Sequence, residues 1–102
     1  MAAAAQLRIY TIAEGALEEF VERWTRGVRP LRERHGFRIE GAWAIPDENR
    51  FVWLVSYGGP GSFQEADAAY YASPEREALR PDPAGLVVES QTYWLTPLPS
   101  EP

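Results

Sequence analysis

Hydrophobic positions along this chain switch between two periods. Residues 6–12 carry the β-branched and aromatic types of a short strand, ended by Glu14-Gly15. From there the apolar residues are Leu17, Phe20, Val21, Trp24, Val28 and Leu31. Steps of three and four predict an amphipathic helix. Its opposite face holds Glu18, Glu19, Glu22, Arg23, Arg26 and Arg29, with Glu19–Arg23 and Glu22–Arg26 at the favourable i,i+4 spacing. Gly27 and Pro30 interrupt the stripe, which predicts a kink, or a restart with Pro30 in the first turn of a second piece. His35-Gly36 closes the element, glycine being suited to the left-handed position just past a helix.

Period two returns over residues 37–45. Phe37, Ile39, Gly41, Trp43 and Ile45 fall on one face of that strand, and Arg38, Glu40, Ala42 and Ala44 on the other. Pro46-Asp47-Glu48-Asn49-Arg50 is a loop of turn formers. The next strand, Phe51-Val52-Trp53-Leu54-Val55-Ser56-Tyr57, is apolar on both faces. A five-residue hairpin between the two strands sets Trp43 opposite Trp53 and Gly41 opposite Val55. Gly58-Gly59-Pro60-Gly61 breaks the chain, and Ser62-Phe63-Gln64-Glu65 has the spacing of a capping box that opens a second helix. That helix runs to about residue 72, restarts at Ser73-Pro74 and stops before Pro81-Asp82-Pro83. Residues 86–95 predict the last strand, and 97–102 a tail.

The predicted order is β-α-β-β-α-β in one domain spanning 1–102, with its core at about 6–96. This is the ferredoxin-like α+β arrangement, a four-stranded antiparallel sheet with both helices on one face. A strand that is apolar on both sides needs cover on both. The helices supply one cover, and a second copy of the chain is the simplest source of the other.

Composition narrows the chemistry. The chain has 102 residues, 45% of them hydrophobic and 13% aromatic, and a net charge of −5. An acidic chain without a basic cluster is a poor partner for nucleic acid or an anionic membrane. All ten basic residues are Arg; together with abundant Ala and Pro, this reads as codon usage in a GC-rich genome. Cysteine is absent, which excludes disulfides and thiolate catalysis. The first five residues lack the charged and apolar regions of a signal peptide, and no run reaches the ~20 apolar residues of a membrane span. The expectation is a cytoplasmic protein. A single histidine and no HExxH or HxxH spacing leave no metal centre and no cofactor to predict.

The segments Leu7-Arg8-Ile9-Tyr10-Thr11-Ile12, Leu17-Glu18-Glu19-Phe20, Leu31-Arg32-Glu33-Arg34-His35-Gly36, Gly41-Ala42-Trp43 and Ala69-Tyr70-Tyr71-Ala72-Ser73-Pro74-Glu75-Arg76 together resemble the NIPSNAP family. The resemblance covers residues 7–95. It implies the dimeric α/β-barrel superfamily, in which two sheets form a barrel across a dimer and each subunit can hold a small molecule between sheet and helices. Relatives include antibiotic-biosynthesis and haem-degrading monooxygenases and muconolactone-isomerase-like proteins.

Candidate site residues compete with plainer readings. His35 is a candidate general base or haem ligand; the alternative is a cation stabilising the end of a helix. Tyr10 offers a phenol as acid or donor; the alternative is a buried tyrosine with a hydrogen-bonded hydroxyl. Trp43, Trp53 and Tyr57 share a face by period two, with Gly41 leaving space beside them, and are candidate walls for a flat hydrophobic ligand. Core and dimer packing would use the same aromatics. Arg38 and Glu40 are either barrel-lining polar groups or rim ion pairs. Gly58-Gly59-Pro60-Gly61 lacks the Lys and spacing of a phosphate loop.

Three functions fit these features. The first is a homodimer binding a small aromatic or hydrophobic molecule, with activity as a cofactor-independent monooxygenase or an isomerase. The second is haem binding, and the third a non-catalytic interaction dimer whose aromatics serve packing alone.

Overall fold

The computed structural model describes residues 4–98. Strands β1 (Ala4–Ile12), β2 (Phe37–Ile45), β3 (Arg50–Tyr57) and β4 (Val87–Leu95) form one antiparallel sheet in the order β2-β3-β1-β4. Helices α1 (Leu17–Arg23) and α2 (Arg29–Arg34) connect β1 to β2; α3 (Phe63–Ala72) and α4 (Pro74–Glu77) connect β3 to β4. The arrangement is the expected ferredoxin-like α+β fold. Among the described residues no helix is long and apolar enough to cross a membrane. The sequence readings at residues 1–3 and 99–102 lie outside the described residues.

Local signals explain most boundaries. The interruption at Gly27 and Pro30 is a π-helical turn, Trp24–Val28, with Pro30 in the first turn of α2. In an α-helix, residues four apart overshoot a full turn. One wider turn keeps Phe20, Trp24, Val28 and Arg32 nearer one line, and all four are buried. Gly36 follows α2 at φ +88°, the left-handed conformation that glycine adopts without penalty. The Ser62 hydroxyl accepts from the Glu65 amide at 3.0 Å, and the Glu65 carboxylate accepts from the Ser62 amide at 3.0 Å. Ser73 caps α4 in the same way by accepting from the Arg76 amide.

Helices and sheet meet in one core. Phe20, Trp24, Val28, Leu31, Phe63 and Tyr70 from the helical side pack with Phe37, Phe51, Trp53 and Val55 from the sheet. Phe51 lies against both Phe20 and Trp24, with ring centroids 5.0 and 4.9 Å apart. The opposite face of the sheet carries half-buried Leu7, Ile9, Val52 and Leu54. Trp43, Ile45, Tyr93 and Leu95 are exposed beside them.

One expectation is corrected here. Pairing between β2 and β3 shifts between Ile39 and Gly41, leaving Glu40 as an extra, bulged residue. Trp43 consequently lies opposite Val52, not Trp53, and Gly41 opposite Leu54, not Val55. Ala42 and Ala44 take the positions facing Trp53 and Phe51. Strict alternation along residues 37–45 therefore fails at its midpoint, because one inserted residue reverses every side chain beyond it. Trp43 sits on the outer face, 54% exposed, its indole folded over Gly41.

The core and the caps differ in expected weight. Phe51→Ala should lower the unfolding free energy by about 3–5 kcal/mol, and Ser62→Ala by about 1 kcal/mol. Urea denaturation of both variants measures the difference.

Candidate functional site

Between the helices and the inner sheet face lies a cavity of about 280 Å³. Its wall draws on both the sheet and the helical layer. Tyr10 and Trp53 come from adjacent strands, Trp24 from the π-helical turn, Arg32 from α2, Tyr70 from α3 and Arg76 from α4. Pro83, Ala84, Val87 and Ser90 complete it beside β4, where Ala84 and Ser90 are exposed. The edge strand β4 is only thinly covered by the helices, and the cavity opens where that cover ends.

Beside the cavity, the inner face of the sheet is more polar than a core ordinarily is. Period two places Gln6, Arg8 and Tyr10 of β1 on the helix-facing side, opposite Val55, Trp53 and Phe51. Arg8 is 6% exposed. Its Nε donates to Gln6 Oε1 at 2.9 Å, its Nη1 to the Tyr71 hydroxyl at 3.4 Å, and its Nη2 to Asp67 Oδ1 at 3.2 Å. Arg32 Nη1 donates to the same Asp67 oxygen at 2.7 Å. One carboxylate thus serves two buried guanidiniums. Arg32 also lies among aromatic faces, with its Cζ 3.9 Å from the Tyr70 ring centre and 4.6 Å from that of Phe37. Such contacts offset part of the cost of burying a cation.

Arg76 also pairs with a carboxylate and approaches Tyr70. Its Nη2 donates to Asp82 Oδ1 at 3.2 Å, and its Cζ lies 5.9 Å from the Tyr70 ring centre. Partial burial of Asp82 acts to raise its pKa. The Ala84 amide and the Arg76 guanidinium outweigh that, and hold the carboxyl below its ordinary value.

Five wall residues bear buried polar atoms with no protein partner: Trp24 Nε1, Trp53 Nε1, Arg32 Nε, Arg76 Nε and the Tyr70 hydroxyl. The first four are donors only. Buried polar groups are ordinarily paired, so this concentration around one cavity marks it apart from the rest of the core.

The sequence candidates separate in space. Tyr10 and Trp53 both line the cavity, their rings 6.4 Å apart. Trp43 is on the opposite face of the sheet. Tyr57 stays on the helix side but packs at a tilt against Phe37, with its hydroxyl donating to the Pro60 carbonyl at 2.8 Å; it is not in the cavity wall. His35 ends α2 half-buried, its ring 5.5 Å from that of Tyr70, and is also outside the wall. Arg38 and Glu40 form an ion pair at 3.6 Å, and Glu40 accepts from Ser56 Oγ at 2.8 Å on the outer face. Among the described residues no group of three or more His, Asp or Glu side chains is placed to hold a metal.

Sequence reasoning missed Arg8, Arg32, Asp67 and Arg76. A signal for two of them was present. Arg32 continues the four-residue steps of Phe20, Trp24 and Val28, and Asp67 lies four after Phe63 and three before Tyr70. A charge inside each of two apolar stripes, opposite in sign, marks an ion pair between the two helices.

The cavity phenols carry a pH signature. Burial pushes the Tyr10 phenol above its ordinary value of 10.0, with the nearby Arg8 charge only partly opposing it; burial raises Tyr70 as well. The folded chain holds these protons more tightly than the unfolded chain, so their contribution is intact below pH 10.0 and is lost as pH rises beyond it. Thermal melts from about pH 8 to about pH 11 should show Tm falling above about pH 10, with a shallower fall in Tyr10→Phe.

The profile of the NIPSNAP family matches residues 5–102, nearly the whole chain. The chain belongs to that family. Its fold is similar to a NIPSNAP family protein of Agrobacterium tumefaciens, with a TM-score of 0.85, 16% identity, and 99% and 98% of the two chains covered. A NIPSNAP domain protein of Burkholderia xenovorans gives a TM-score of 0.82 at 19% identity, covering 97% and 98%. A candidate antibiotic biosynthesis monooxygenase of Bacteroides thetaiotaomicron gives 0.71 at 18% identity, covering 97% and 93%. No curated protein matches the sequence.

Proposed function

We propose that this NIPSNAP protein is a homodimer in which each subunit binds a small, flat aromatic molecule and acts on it without a cofactor. The observation that carries the reading is the cavity walled by Trp24, Trp53, Tyr10 and Tyr70, aromatic in its body and polar at its edges. Its place between sheet and helices is the place the resemblance implied for a small-molecule cleft.

The dimer reading rests on the outer face. Leu7, Ile9, Val52 and Leu54, with Trp43, Ile45, Tyr93 and Leu95 around them, form a continuous apolar surface, which supports pairing with a second copy. Two such faces packed together would bury them and complete the barrel. Light scattering should give twice the chain mass for the natural sequence. Leu54→Asp puts a charge at the centre of that face and should give the single-chain mass; a monomer before substitution would remove the dimer.

The chemistry proposed is oxidation of an electron-rich ring by molecular oxygen. In an anthrone-type substrate a ring CH2 becomes C=O, one oxygen atom enters the product, and the other leaves as water with the two hydrogens. The substrate supplies every electron, so no reductant is needed. The protein's part is to orient the ring, exclude water and donate hydrogen bonds to the developing oxyanion. Tyr10 is the donor assigned here, and its raised pKa keeps its proton in place. Structural kinship to a candidate monooxygenase supports the class of reaction. Isomerisation of the same kind of substrate would use the same cavity without oxygen.

Oxygen uptake with an anthrone-type substrate tests this. The natural sequence should consume one oxygen per substrate. Tyr10→Phe should slow turnover by about a hundredfold or more, the size expected for one donor to an oxyanion, while His35→Ala should match the natural sequence. Substrate conversion without oxygen uptake would select the isomerase. Tight binding without conversion would select the non-catalytic reading.

A further inference from the structure

We propose that the ligand of this cavity is an organic acid, held through its anionic group by Arg32 and Arg76 while its ring lies against Trp53 and Trp24. The proposal rests on the cavity being the ligand site and adds the charge class of what fills it.

The first support is a charge imbalance. Arg8 and Arg32 share the single carboxylate of Asp67, and Arg76 pairs with Asp82. Three guanidiniums therefore meet two carboxylates, which leaves one positive charge uncompensated. The side chains of Arg8 and Arg32 are 7% and 1% exposed, so solvent does little to screen it. An isolated buried charge is costly, and aromatic faces offset it only in part. An anion in the cavity would remove the imbalance.

The second support is the lining itself. Its two charged residues are Arg32 and Arg76, and no carboxylate lines the cavity. Both guanidiniums approach the Tyr70–Tyr71 pair, with Cζ 5.2 Å and 5.6 Å from the Tyr71 ring centre. Each has spent one terminal nitrogen on its own carboxylate and keeps a buried Nε unpartnered. The indole nitrogens of Trp24 and Trp53 are likewise donors without acceptors. A wall with surplus donors and surplus positive charge selects a ligand rich in acceptors, and a carboxylate or an acidic enol supplies both.

The third support is contrast with the rest of the molecule. The chain carries a net charge of −5, which repels anions at long range. A positive interior in an acidic protein is not a by-product of overall charge.

A matched pair of probes tests the proposal: naphthalene-2-carboxylate and its neutral carboxamide, titrated against the quenching of tryptophan fluorescence. The natural sequence should bind the carboxylate about tenfold or more tightly than the amide, the gain expected for a charge-assisted contact. Arg76→Gln and Arg32→Gln, each checked for native circular dichroism, should bring the two affinities together. Arg76, on the short α4 and less buried, keeps the test intact if Arg32→Gln does not fold. Equal binding of both probes by the natural sequence would overturn the acid and leave the cavity as the ligand site. A preference that survives in every folded variant would overturn the assignment to these arginines. Binding of neither probe would overturn the cavity reading and this proposal with it.

Discussion

A four-stranded sheet has two faces, and 102 residues furnish helices for only one. The rest of the molecule is arranged around that shortage. Strand β3 lies inside the sheet between β2 and β1, with Phe51, Trp53 and Val55 turned to the helices and Val52 and Leu54 turned away. The helical side is closed by aromatic packing, where Phe20, Trp24 and Phe51 meet ring to ring. The other side remains apolar and open. Burial of apolar area is the main force available to a domain of this size, so an uncovered apolar face represents unused stabilisation that association can recover.

The same shortage shapes the cavity. The helical layer covers β1 and β3 well but thins toward β4, whose residues are mostly exposed. The well-covered inner face of β1 is nonetheless polar. Gln6 and Arg8 lie on the inner face of β1, positions that a helix-covered strand ordinarily fills with aliphatic side chains. Two guanidiniums on one carboxylate are a poor way to stabilise a fold, because well-packed apolar residues of similar volume would serve as well or better. Of the two, Arg32 lines the aromatic cavity, and its buried Nε has no protein partner there.

How much of this was legible in the sequence depended on whether the signal was local. The capping box at Ser62, the restart at Pro74, the end of the first helical element at Gly36 and the topology all follow from short-range rules, and each is present. The faces of β2 were not legible. A single bulged residue at Glu40 reverses Trp43; Gly41 beside it is a type that often marks a bulge, but strict period two carries the alternation straight through it. The bulge is fixed by pairing with β3, including the contact from Ser56 to Glu40. The aromatics were divided correctly only where the strand stays regular, so Trp53 reaches the cavity and Trp43 does not. Tyr57 shares Trp53's face but sits too far along the strand, its hydroxyl tied to Pro60. The charged groups were hidden for another reason. Arg8, Arg32 and Asp67 are residue types read as solvated by default, and their positions on buried stripes mattered more than their chemistry.

The two faces are not independent, because the same strand serves both. Trp53 forms part of the cavity wall, and the residues on either side of it, Val52 and Leu54, are the centre of the open face. A strand side chain moves with its backbone, and neighbouring residues on a strand share that backbone while pointing to opposite sides. Whatever packs against Val52 and Leu54 therefore also restrains the position of Trp53. Cover on the outer face would stiffen the cavity without touching it, and would do so at the strand held by neighbours on both sides. A binding site preorganised in this way loses less entropy when its ligand is ordered. The shortage that leaves one face of the sheet bare thus leaves the strand that carries a wall of the cavity, at Trp53, exposed through Val52 and Leu54 on its other side.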